Sequence, residues 1–178
     1  MESRQEKIQL LSRINRGRAA APSFLAGLSE ALGESVDETA LLPPSDTDAI
    51  MESFRVGYQT AIRPGEVSYR RFFRPVERSL VLRLADCLAE KLPSERVFFV
   101  TKLSKDCGAV SLRLSALLNH TASIIRLDGD SLSALSEDRK QGILIDQNPD
   151  EPEQTYEVVV WGDRWPLLAL ACDQDGRL

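Results

Sequence analysis

A chain of 178 residues with 43% hydrophobic and 28% charged side chains is long enough for one substantial core, too short for two comfortable ones, and too apolar for wholesale disorder. Its net charge of -5 and pI near 5.0 argue against non-specific affinity for nucleic acid and suit a basic partner. No apolar run approaches the roughly 18 residues of a membrane span, and the start Met1 to Lys7 lacks the apolar stretch of a secretory signal, so the expectation is a cytoplasmic protein with no membrane partner.

The three cysteines Cys87, Cys107 and Cys172 are widely spaced, and an odd number without a Cys-x-x-Cys pair predicts reduced, mostly buried thiols. In chain order, Ile8, Leu11 and Ile14 predict a first helix ending near Gly17. Phe24, Leu25, Leu28 and Leu32 predict a second, opened by Ser23 after Pro22 and closed by Gly33. Residues 34–48, acidic and broken by Pro43-Pro44, read as a linker. Ile50, Phe54, Tyr58 and Ala61 predict a third helix, capped by Asp46 or Thr47 and ending before Arg63. Leu80, Val81, Leu84, Leu88 and Leu92 predict a fourth, with Pro75 in its first turn and Pro93 stopping it.

The β-branched and aromatic run Arg96 to Lys102 predicts an inner strand. Residues 108–119 fit both periods, with a lean to helix. Ser123 to Asp128 reads as a strand ended by Gly129, and Ser131 to Asp138 as a short helix or turn. Gly142 to Asp146 and Thr155 to Trp161 predict two further strands joined by an acidic hairpin loop, with Asp173 to Leu178 a frayed tail. These elements make an α+β fold, a helical N-terminal half on a small, mostly antiparallel C-terminal sheet. It forms a single domain over 1–178, with N-terminal helices at 1–33 and the main core at 49–172.

Catalytic signatures fail one after another. The lone histidine, His120, would have to carry any triad or His-based metal site unaided, and reads as a surface or cap residue. Walker, dinucleotide-binding, zincin and nucleophile-elbow patterns are missing. The stretch Asp146 to Glu153 starts like a calcium loop, but Glu151 stands where glycine is required and Glu157 falls inside a strand. Asp128-Gly129-Asp130 is either a turn or a carboxylate pair that would meet that loop if the strands are neighbours, which leaves open a carboxylate and metal enzyme. Arg70, Arg71, Arg74 and Arg78 alternate with Tyr69, Phe72 and Phe73. The run reads as a loop whose aromatics dock on the core, or else as a single-strand nucleic-acid surface. Trp161 and Trp165 are either core plugs closing the sheet or interface anchors.

The elements Ile125 to Asp130, Gly142 to Asp146 and Tyr156 to Gly162 resemble the sheet part of small bacterial immunity proteins, which neutralise toxins of contact-dependent, Rhs-type or type VI systems. The resemblance implies a non-catalytic, cofactor-free inhibitor that docks an acidic surface over the cleft of a basic toxin domain. The residues expected to carry the contact are Asp146, Asp150, Glu151 and Glu153, then Asp128, Asp130 and Trp165.

Overall fold

The computed structural model describes residues 4–63, 71–147 and 155–176, the side chains of 71–76 and 173–176 excepted. Two of the predicted helices are one: α1 runs unbroken over Arg4–Leu32 with Pro22 inside it. Pro22 removes one helical donor, but it lies on the exposed side, where water can serve the carbonyl left without a partner. Gly17 does not end the helix either. It is buried, and a Cβ there would collide with the Asp106 carbonyl, so its smallness serves close packing.

A 3-10 turn at Glu38–Ala40 leads to α2, Pro44–Ala61. The helix begins earlier than either expected cap because Pro44 takes its first turn. Thr47 is instead fully buried, its hydroxyl accepting from the Ala109 amide at 3.0 Å. The next departure is β1, Arg71–Glu77, where a loop and then a helix start were expected. Pro75 lies in this strand and the register slips between Phe73 and Val76, the bulged edge setting in which proline is tolerated. The helix α3, Arg78–Lys91, follows at once.

The strand β2, Arg96–Val100, the short helix α4, Ser104–Cys107, and the strand β3, Val110–Arg113, come next. Residues 108–119 turn out to be both things, since α5, Leu114–Asn119, begins where β3 ends. Two assignments are reversed. Thr121–Asp128 is the helix α6, closed by Gly129 at φ 104 with its amide on the Ile125 carbonyl, and Ser131–Ser136 is the strand β4. The adjacent β-branched Ile124-Ile125 imitates a strand, whereas the serines and alanine of β4 hide one. The strands β5, Gly142–Gln147, and β6, Thr155–Trp161, are a neighbouring antiparallel pair as expected, and α7, Trp165–Gly176, reaches well into the supposed tail.

The sheet is antiparallel throughout, in the order β1-β6-β5-β4-β2-β3, so β2 is interior as its apolar run predicted. Alternate residues divide its two faces. Val97, Phe99, Leu132, Ala134, Ile143, Ile145 and Val158 meet a core with α1, α3, α5, α6 and α7. On the reverse face, Leu135, Val159 and Trp161 meet Ile50 and Ala61 of α2. Trp161 closes the sheet onto α2, edge-to-face with Phe54 at 5.1 Å, and the space for its ring exists because residues 57 and 142 are glycines. The helical layer and antiparallel sheet establish the α+β class, although helices occupy part of the C-terminal half too.

The thiol expectation is corrected: Cys87 of α3 and Cys172 of α7 form a disulfide, with Cα atoms 5.9 Å apart, while Cys107 is free and buried. A separation of 85 residues left no local signal for this pairing.

Candidate protein-docking site

The end of the sheet where β5 stops and β4 starts gathers three of the aspartates singled out in sequence. Ser131 pairs with Asp146 in the β4–β5 register, and the Gln147 amide donates to the Asp130 carbonyl at 2.9 Å. The turn through Gly129 brings Asp128, the last residue of α6, beside them. A fourth chain segment enters immediately after β2. The Lys102 amide donates to Asp128 Oδ1 at 3.0 Å, and Lys102 Nζ pairs with Asp130 Oδ2 at 2.6 Å.

Asp130 therefore holds the Lys102 ammonium directly, whereas Asp128 is held by the Lys102 amide and Asp146 feels the ammonium only through space. The bond to Asp130 raises the Lys102 pKa against some desolvation, with Asp128 and Asp146 adding to the rise. Burial is the main cause that pushes Asp128 above the ordinary carboxylate range, opposed by its bonds from the Lys102 amide and the Ser131 hydroxyl. Asp146 is raised first by burial, then by the charges of Asp130 and Glu157.

A carboxyl whose folded pKa is raised binds its proton more tightly in the folded chain, so its ionisation lowers stability as pH rises through the raised value. Below the ordinary carboxylate value that cost is gone. Asp146→Asn is accordingly expected to raise the thermal midpoint at pH 7 by about 1–2 °C, a size reduced by solvent screening of this partly buried group. The gain should vanish near pH 3. A lower midpoint at pH 7 would show that Asp146 is held by a favourable bond instead.

Asp150, Glu151 and Glu153 lie outside the described residues. Both ends of their connection are nevertheless fixed here, since Gln147 and Tyr156 are register partners. In sequence, residues 146–157 contain Asp146, Asp150, Glu151, Glu153 and Glu157 and no lysine or arginine, a strongly negative run.

Trp165 does not belong to the site. It is 1% exposed and packs in the main core at the start of α7, where the expectation of a partner contact placed it at the surface. Arg70 lies outside the described residues, Arg71 and Arg74 stand in β1, and Arg78 is exposed at the start of α3. His120 is exposed at the junction of α5 and α6. A depression of about 590 Å³ is lined by Glu95, Arg96, Glu137, Asp138 and Arg164, but Arg96 is held by Glu137 at 3.2 Å and Arg164 by Glu95 at 2.5 Å. Among the described residues no group of three or more His, Cys, Asp or Glu side chains is arranged to hold a metal ion. Nor is any described helix long and apolar enough to cross a membrane.

Sequence reading missed Lys102, the residue that organises the aspartates. Its only sequence signal is a lysine at the end of the predicted strand Arg96 to Lys102. No family model, curated protein or solved structure matches the chain.

Proposed function

We propose that the chain is a non-catalytic protein-binding inhibitor of the immunity-protein kind, which blocks a basic toxin domain by docking the negative end of its sheet over that domain's cleft. One observation carries the reading: the β4–β5 register and the turn through Gly129 bring Asp128, Asp130 and Asp146 to one end of the sheet, where Lys102 pairs with Asp130 and its amide holds Asp128, with both ends of the Asp150–Glu153 connection beside them. A negative surface mounted on regular elements is pre-organised, so little order is lost when a cationic partner docks. Its field accelerates encounter with that partner.

The same geometry favours docking over carboxylate and metal catalysis, because the Lys102 ammonium already stands among the three aspartates. The nucleic-acid alternative rests on Arg70, Arg71, Arg74 and Arg78, which belong to a different part of the chain, at β1 and the start of α3.

Binding to the purified partner tests the reading. Charge reversal in the variant Asp150→Lys, Glu151→Lys and Glu153→Lys is expected to weaken the complex by about a hundredfold or more, mainly in the association rate, with a steep salt dependence in the wild type. Unchanged affinity would remove this surface from the mechanism. A partner whose activity survives stoichiometric binding would remove the inhibitor role.

A further inference from the structure

The first half of α1 rests on the body at its base only. From Gly17 onward the helix buries Gly17, Ala21, Phe24, Leu25, Leu28 and Leu32, whereas every residue from Arg4 to Ser12 is exposed. Arg13 and Arg16 fasten the base, the first to Asp48 at 2.7 Å and the second to Asp106 at 3.0 Å. Beyond them Ile8 and Leu11 are 57% and 60% exposed, which leaves large aliphatic side chains in water.

Arg4, Ile8, Leu11, Asn15 and Arg18 follow one another at steps of four and three, so they form a single stripe along the helix, turned away from the buried one. Apart from Arg13 and Arg16, which are paired with Asp48 and Asp106, residues 4–18 carry Arg4, Lys7 and Arg18 against Glu6, a positive excess in a chain whose net charge is -5. A partner for this stripe must therefore be anionic and must offer an apolar layer beneath its charge. A second copy is disfavoured, since pairing two such helices sets cations against cations. A protein groove asks for apolar anchors repeated along one seam. Here the apolar pair is bracketed by arginines, whose stems can lie along an apolar surface while their heads reach outward.

We propose that the outer face of the N-terminal half of α1 docks on an anionic lipid surface, with Ile8 and Leu11 entering the acyl boundary and Arg4, Lys7 and Arg18 meeting the headgroup phosphates. A helix lies in an interface when apolar side chains on one side enter the acyl boundary and flanking basic residues meet the anionic headgroups. Such docking departs from the expectation of no membrane partner without requiring a helix that crosses. It is also independent of the inhibitor reading, which concerns the acidic end of the sheet.

The test is co-sedimentation of the full chain with vesicles of phosphatidylcholine alone or mixed with phosphatidylglycerol, at low and high salt. The expected result is binding to the mixed vesicles only, lost at high salt, although the net charge of the protein opposes it. Arg4→Glu with Lys7→Glu should weaken partition about fivefold or more per charge. Ile8→Ser with Leu11→Ser should abolish it, and both double variants should melt like the wild type because these side chains are exposed. No binding to mixed vesicles at low salt, equal binding to phosphatidylcholine, or full binding by either variant would overturn the proposal. So would a dimer in solution that Ile8→Ser with Leu11→Ser dissociates, which would assign the stripe to a second copy.

Discussion

Trp165→Ala is expected to destabilise the chain by about 3–5 kcal/mol, the usual cost of emptying a buried aromatic site. The ring is fully enclosed at the start of α7, where the backbone amides of Arg164 and Trp165 both donate to Gln141 Oε1 at 3.1 Å. Because its indole Nε1 is buried without a hydrogen-bond partner in the described structure, Trp165→Phe should cost much less than Trp165→Ala. It gives up volume but also removes an unsatisfied donor. Guanidinium unfolding of the three proteins measures both differences. An interface role predicts the opposite pattern, unchanged stability and weaker partner binding, so unaltered unfolding of Trp165→Ala would return this residue to the surface.

Breaking the Cys87–Cys172 disulfide should have an effect of similar size. It joins α3 to α7 across 85 residues of sequence. Constraining so long a loop in the unfolded chain stabilises the fold by about 4–5 kcal/mol in the chain-entropy account, and by about 2–4 kcal/mol in typical measurements. At about 2–4 °C per kcal/mol for a chain of this length, the thermal midpoint should fall by about 10 °C in reductant. Cys87→Ser and Cys172→Ser should reproduce the fall without reductant and show no further change when it is added. Cys107 provides the control: burial pushes its thiol pKa up, and it should resist alkylation in the folded chain. Finding all three cysteines alkylatable in unreduced, denatured protein would overturn the pairing. The outcome also bears on location, because a persistent disulfide fits an oxidising compartment better than the cytoplasm expected from sequence.

The elements legible in the sequence are those with one consistent period, although spacing misplaces the starts of α2 and α3 and the end of β2 by a few residues. The Ile50, Phe54, Tyr58 and Ala61 stripe of α2, the apolar face of α3, the runs of β2 and β6, and the β5–β6 pairing all follow from spacing alone, since each buries one face or sits fully inside the sheet. The errors fall where local preference and environment disagree. Ile124-Ile125 prefers a strand yet lies on a helix closed by Gly129, a cap that reads equally well as a strand end. Ser131 to Ser136 has weak strand propensity, but it lies between β2 and β5 and is paired on both sides.

The same division runs through the candidate site. Composition and spacing by themselves determined an α+β chain, acidic overall, with a run of carboxylates free of lysine and arginine in residues 146–157. They also marked Asp128, Asp130 and Asp146 as a possible group. Only the tertiary structure decided that these three converge, because their meeting depends on the β4–β5 register and on Lys102 arriving from the turn after β2. The tertiary structure likewise moved Trp165 inside and closed the disulfide. Periodicity reports which face of one element is apolar, whereas pairing, convergence and burial depend on contacts between residues far apart in the chain, and these carry no local signature.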